Sequence, residues 1–283
     1  MKIHPAIKLL RPLQWLKNLM LLFPPFLGGI LFQQLSFPTG ILPLMIFCLA
    51  SSAVYIINDT LDCNADRQHP TKQFRPLPSG EITVAAALFL AVVLMVSAIG
   101  LAFVISAKFL VFLLSYLVVS IIYSLFLKNY PVVDIFCVAS GFIFRLLAGG
   151  EAFKINISEW LFLTVFLLAL FLSTGKRYSE KNALGGIAGL HRKALAAYPD
   201  GFLDGLLFMT GSAVLVTYSM YVISKHSSLL LYTVPLCCFG LLRYILRVQS
   251  GRGGDPTESL LKDLPLLVVG ITWAVMVGLS VYG

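Results

Sequence analysis

The sequence predicts an all-α integral membrane protein with nine transmembrane helices, on three observations. Of 283 residues, 58% are hydrophobic and only 12% are Asp, Glu, Lys or Arg, about half of the roughly 25% usual in soluble domains. The mean hydropathy is +0.89, and a soluble fold of this length cannot hide that much apolar surface. The charges gather in a few polar stretches between long uncharged runs, which suits helices better than barrel strands. A soluble enzyme, a disordered chain and a collagen-like repeat are excluded.

The spans follow from the gaps between charges. Residues 18–58 contain no Asp, Glu, Lys or Arg, about twice the ~20 residues that one crossing needs. The polar Gln33-Gln34 and Pro38-Thr39-Gly40 supply a turn, so spans are expected at 17–35 and 39–58. The first apolar run contains Pro24-Pro25 and lacks a small-residue cleavage site, unlike a cleavable signal peptide. A polar loop, 59–80, follows. Further spans are expected near 82–105, 108–127, 131–150, 159–175, 204–223, 227–247 and 264–282. Residues 1–283 then form one membrane domain.

With the N-terminus in the cytosol, seventeen Lys and Arg fall on the inner side, and only Lys108, Lys154 and Lys225 on the outer. That asymmetry follows the positive-inside rule for a bacterial-type cytoplasmic membrane, and it accounts for the net charge of +8 without nucleic acid. The C-terminus falls outside. The polar loops 59–80, 176–203 and 248–263 fall inside, so a site is expected on the cytosolic face. Cys48, Cys63, Cys137, Cys237 and Cys238 form no CxxC and suggest neither disulfides nor zinc.

The most informative stretch runs from Asn58 through Asp59, Asp62 and Asp66 to Arg67, Lys72 and Arg75. On a continuing helix at about 100° per residue, Asn58, Asp62 and Asp66 lie near 0°, 40° and 80°, and Asp59 near 100°. Close carboxylates repel, so a cation must sit among them or one must be protonated. Hard oxygen ligands suit Mg²⁺ completed by substrate phosphates, and the Lys/Arg that follow suit a diphosphate. The alternative is a solvated helix end at the membrane surface.

The pattern Asn58-Asp59-x-x-Asp62-x-x-x-Asp66-Arg67, with Lys72, Arg75-Pro76-Leu77 and Gly80, resembles the first aspartate-rich motif of the UbiA prenyltransferase superfamily. The resemblance implies nine helices and both large loops in the cytosol. It also implies Mg²⁺ held by Asn58, Asp59, Asp62 and Asp66, the three aspartates being catalytic. The second acidic motif of that superfamily, DxxxD, is missing: Gly175-Lys176-Arg177-Tyr178-Ser179-Glu180-Lys181 stands there, with one carboxylate. Lys and Arg in place of acids favour a bare phosphate over a second metal; a solvated basic loop is the alternative.

This stretch, with Gly189-Leu190-His191-Arg192-Lys193, resembles the decaprenyl-phosphate phosphoribosyltransferase branch of the superfamily. So do Arg11-Pro12, Gln14-Trp15-Leu16-Lys17-Asn18 and Pro131-Val132-Val133-Asp134. The branch implies transfer of 5-phosphoribose from 5-phosphoribose 1-diphosphate to a polyprenyl phosphate, with Mg²⁺ as cofactor and a cavity open to the cytosol and laterally to lipid. An ionised lipid phosphate is itself a nucleophile, so no dedicated base is expected, and His69 and His191 receive no catalytic role. Expected substrate-binding residues are Lys17, Asn18, Asn58, Arg67, Lys72, Arg75, Tyr123, Lys128, Lys176, Arg177 and Tyr178. Asp134 competes evenly between a site role and an interfacial one, and Arg145 between snorkelling toward Glu151 and lining an internal cavity. Asp255-Pro256 and Lys262-Asp263 are weak candidates for closing over the site. The rival readings are a UbiA-type prenyltransferase with an aromatic or other small acceptor, and a transporter. The latter predicts two related halves with broken midplane helices, which the sequence does not show.

Overall fold

The computed structural model describes residues 4–34, 40–68, 71–185 and 193–283. His69, Pro70, His191, Arg192 and the Pro38-Thr39 turn lie outside them. All the regular secondary structure of the described residues is helical, with no strand. Eight helices are long and apolar enough to cross a membrane. They are α1 (Ile41–Leu61), α2 (Val84–Ile105), α3 (Ala107–Leu125), α4 (Val133–Ala152), α5 (Glu159–Leu184), α6 (Phe202–Ser224), α7 (Thr233–Gln249, led in by a short turn at Ser228–Leu231) and α8 (Leu264–Tyr282). The chain is a multi-pass membrane protein.

The first expected span differs. Residues Pro12–Leu22 form a 3-10 helix, followed by short α-helices Phe23–Leu27 and Leu31–Gln34. Pro24 and Pro25 lack the N–H that a long helix needs, and Gly29 at φ +76° turns the chain. The segment packs closely all the same. A Cβ on Gly149 of α4 would lie 2.2 Å from the Leu21 carbonyl oxygen, so only glycine admits this approach.

Two further boundaries move. α1 runs three residues past its expected end, to Leu61. α5 continues to Leu184, because nothing breaks it before Gly185 at φ +50°. Lys176, Arg177, Tyr178 and Glu180 therefore stand on a helix and not in a loop.

Side-chain size sets the packing. α2 buries Ala87, Ala91, Ala98 and Ala102 against α1 and turns Phe89, Val96, Phe103 and Val104 outward. Lipid is as apolar as leucine, so small residues that let backbones approach are what hold such a pair. Ser106, Ser158 and Asp263 cap α3, α5 and α8. Successive helices neighbour one another, and the 12–27 segment closes the ring by touching α1, α4 and α8.

Candidate active site

Helix geometry divides the acidic stretch. Asn58 and Asp62, one turn apart, border a polar cavity of about 250 Å³, and Asn58 Nδ2 donates to Asp62 Oδ2 at 3.1 Å. Asp59 points elsewhere and is 2% exposed, and Asp66 is 4% exposed. The regular helix stops at Asp62 (φ −90°, ψ 0°), so the register of Asp66 is set by the separate turn Cys63–Asp66. The single four-residue stripe expected from a continuous helix is therefore split.

The cation that the clustered carboxylates require is supplied by the chain itself. Arg75 Nη1 sits between Asp59 Oδ1 at 3.1 Å and Asp66 Oδ2 at 2.6 Å. Arg11 binds Asp59 through both Nε, at 3.1 Å, and Nη2. Lys72 Nζ lies 3.8 Å from Asp66, and Lys128 pairs with Asp62. These charge-assisted contacts compensate two deeply buried carboxylates. Arg11, Lys72 and Arg75 also line the cavity, so they can meet a phosphate while holding Asp59 and Asp66.

Asn58 and Asp62, the latter paired with Lys128, are the side chains of the expected metal set that face the cavity. Asn58 and Asp62 offer oxygen donors one turn apart on the wall, a partial set of the kind Mg²⁺ completes with phosphate oxygens and water. Among the described residues no three Asp, Glu, His or Cys converge on one point, so an ion here would depend on the substrate's phosphates.

Across the cavity stands α5. Arg177 is 3% exposed. Its Nε binds Asp134, Nη1 donates to Glu180 at 2.7 Å and Nη2 to the Tyr123 hydroxyl at 2.9 Å. Asp134 also accepts from the Tyr198 hydroxyl at 2.7 Å, and that hydroxyl accepts from Val132 N–H at 2.6 Å. Arg177 thus lines the cavity while internal ion pairs and a hydrogen bond join it to α3, α4 and its own helix. Lys176 is more available: its Nζ is 3.6 Å from Asp255, and its side chain is 40% exposed.

Asp255 belongs to a segment that packs over this face. A Cβ on Gly254 would lie 2.4 Å from the Gly175 carbonyl oxygen, and one on Gly175 would lie 2.6 Å from the Tyr244 ring. Tyr244 donates to the Gly254 carbonyl at 2.8 Å. Burial pushes the Asp255 carboxyl up, but Lys176, Lys17 and the N–H groups of Glu258 and Thr257 outweigh it and hold it below the ordinary aspartate value.

Of the expected substrate contacts, Lys17, Asn58, Lys72, Arg75, Tyr123, Lys176 and Arg177 line the cavity. Lys128 meets it through Asp62. Arg67 is exposed at the end of the Cys63–Asp66 turn. Tyr178 packs with Phe171 and Leu203 against α6, and Asn18 is fully buried against Ser51. Arg11, quoted in the sequence only as part of a resembling motif, and Tyr55 were given no site role there, and Arg145 was left out, yet all three line the cavity. The signal for Arg145 was available: a lone charge deep in an apolar span marks a functional position by default.

A second, apolar cleft of about 620 Å³ adjoins the first. The two share Lys17, Phe142, Leu172 and Pro256. The cleft runs between the 12–27 segment and α5–α8, from Lys17 to Lys225, Leu230 and Val281.

The UbiA prenyltransferase family profile matches residues 22–271. The decaprenyl-phosphate phosphoribosyltransferase of Corynebacterium glutamicum is 35% identical, over 98% of this chain and 86% of that protein. The protein of the same name from Mycolicibacterium smegmatis is 32% identical, over 98% and 92%. A UbiA homologue from Archaeoglobus fulgidus, solved with GPP and Mg²⁺, superposes with a TM-score of 0.76 over 98% of this chain and 99% of that one, at 22% identity. Profile, sequence and fold agree, and the chain belongs to the UbiA prenyltransferase family.

Proposed function

We propose that this membrane protein transfers 5-phosphoribose from 5-phosphoribose 1-diphosphate to a polyprenyl phosphate and releases diphosphate. The observation that carries the reading is the junction at Lys17: a cavity rich in cations opens onto an apolar cleft running to Lys225 and Val281. A lipid phosphate needs both, with its head among cations and its chain among leucine and valine side chains. The two full-length relatives whose names carry this activity support the same substrates.

In this reading Asn58 and Asp62 would hold Mg²⁺, and the metal would supply Lewis-acid stabilisation of the leaving diphosphate. Arg11, Lys72 and Arg75 receive the diphosphate oxygens, with Asp59 and Asp66 fixing the two arginines in place. Lys17 and Lys176 take the acceptor phosphate. A phosphate oxygen of the acceptor forms the new bond to the anomeric carbon as the bond to diphosphate breaks. The nucleophile is ionised already, so no base is required. Residues 1–283 act as one membrane unit.

The 12–27 segment is the ninth crossing. Arg11 stands at the level of Asp59, Tyr282 donates to the Phe26 carbonyl at 3.1 Å, and Gly28 abuts Ile155. With seventeen inner and three outer Lys/Arg, the cavity faces the cytosol. Purified protein incubated with labelled 5-phosphoribose 1-diphosphate, Mg²⁺ and polyprenyl phosphate should yield label in the lipid extract. Consumption of prenyl diphosphate with an aromatic acceptor, the phosphoribosyl donor being ignored, would overturn the reading.

A further inference from the structure

Among the described residues, Arg145 is a buried cation with no carboxylate partner. It sits in α4 at 4% exposure and borders the polar cavity. Its Nε donates to Asn18 Oδ1 at 2.7 Å, Nη1 to the Gly141 carbonyl at 2.8 Å and Nη2 to the Tyr116 hydroxyl at 3.1 Å. The guanidinium also lies 4.5 Å from the Tyr116 ring centroid. All of these partners are neutral. A guanidinium has five N–H donors, so two remain without a partner among the described residues. Every other arginine on the cavity wall is paired with a carboxylate: Arg11 and Arg75 with Asp59, and Arg177 with Asp134. A full charge this deep is expensive unless an anion joins it.

Its depth says which anion. Asn18, which holds Arg145, also donates to Ser51 on α1. Ser51 is seven residues before Asn58, about 10 Å deeper along the helix. The distance suits a ligand with one phosphate group at Asn58–Asp62 and a second at the far end of a sugar. The lipid-borne phosphate arrives elsewhere, because the apolar cleft meets the cavity at Lys17 and Arg145 does not border the cleft.

We infer that Arg145 binds the 5-phosphate of the phosphoribosyl donor and thereby selects it over a prenyl diphosphate, which has no phosphate apart from its diphosphate. This inference rests on the function proposed above. The Arg145 side chain then acts as a specificity-determining contact at the floor of the cavity, with Asn18 orienting it.

The test uses ribose 5-phosphate, which carries the 5-phosphate alone, and inorganic diphosphate, which lacks it, as inhibitors of purified full-length protein. In Arg145→Gln the inhibition constant of ribose 5-phosphate and the KM for the donor should each rise at least about tenfold, as for loss of a charge-assisted bond. Inhibition by Mg²⁺-diphosphate and KM for polyprenyl phosphate should stay near their parental values. Arg145→Lys should recover part of the loss. Asn18→Asp keeps an acceptor on Nε but neutralises the charge, so it should reproduce the split; the loss of the Nδ2 bonds to Ser51 and Cys48 is read separately, as a fall in melting temperature. Unchanged ribose 5-phosphate inhibition in a folded variant overturns the inference. So does equal weakening of both inhibitors in all three variants, which would make Arg145 a packing strut. A rise in KM for polyprenyl phosphate alone would assign the residue to the lipid and equally overturn it. If the parent fails to label lipid from the phosphoribosyl donor, the function itself is wrong and the inference falls with it; parental labelling with indifferent variants sinks the inference alone.

Discussion

At the scale of single residues, the site is an arrangement of compensated charges, and each pairing sets a different response to mutation. Asp62 borders the cavity and would touch the metal, so Asp62→Asn should lower turnover at least ~10²-fold, as for loss of a major electrostatic stabiliser. EDTA should abolish activity in the parent, and full turnover in EDTA would remove metal from the account. Asp59 is buried beneath Arg11 and Arg75, so Asp59→Asn should lower the melting temperature as well as turnover, because it leaves two cations short of a partner. Equal melting temperatures for both variants would contradict this division. Asp255 answers to pH. Its carboxyl is held below the ordinary aspartate value by Lys176, Lys17 and two backbone N–H groups, against the upward push of burial. A depressed carboxylate contributes stability that is present above the unfolded pKa and lost as pH falls through the folded one. The melting-temperature gap between parent and Asp255→Asn should therefore stay constant from about pH 5 to 8 and shrink below about pH 4. A gap that closed near neutrality would point to another group.

At the scale of elements, charge gaps and apolar runs made the eight long helices legible, because lipid demands internally bonded backbone of fixed length. The same argument placed a span at 17–35 but did not give its form: hydropathy reports burial in lipid, whereas Pro24-Pro25 and Gly28-Gly29 decide whether that burial takes the form of one helix or several short ones. The acidic motif was legible as chemistry but not as geometry. Spacing placed Asn58 and Asp62 on one face, but the break at Asp62 and the partners Arg11 and Lys128 come from elements far away in sequence. Arg177 shows the same limit, since its engagement by Asp134 and Tyr123 depends on how α3, α4 and α5 pack. The segment after α7 was a weak signal in sequence because its fit is steric: Gly254 against Gly175, with Tyr244 bonded to the Gly254 carbonyl. Gly254→Ala should displace this segment from α5 and lower kcat/KM more than Tyr244→Phe, which removes one neutral hydrogen bond worth about 1 kcal/mol. Comparable kinetics in parent and Gly254→Ala would show that the segment does not take part in closing the site.

At the scale of the whole molecule, two cavities of opposite character meet at one lysine, and that junction imposes a direction on both substrates. If the polar loops face the cytosol, single cysteines near Lys72 and Lys181 should react with impermeant reagents only from that side, and one near Ser227 only from the other; the reverse pattern would invert the path of the soluble donor. The lipid's path is tested by blocking the cleft while sparing the polar cavity. Gly240 on α7 and Val269 on α8 both line the cleft, and a Cβ on Gly240 would lie 3.9 Å from Val269 Cγ1. Neither residue borders the polar cavity. Gly240→Phe therefore adds an aromatic ring where the isoprenoid chain is expected and leaves every phosphate contact in place. Overpacking of this kind typically costs about 1–3 kcal/mol, so KM for a long polyprenyl phosphate should rise roughly 5- to 150-fold. An acceptor of two or three isoprene units, which ends before reaching the ring, should keep its parental KM, and so should the phosphoribosyl donor. The contrast between long and short acceptors is the decisive reading, because general damage to the fold would slow both. If long and short acceptors lost the same factor, or neither did, the chain would have to leave the site by another route, and the cleft beside Lys17 would not be the lipid's channel.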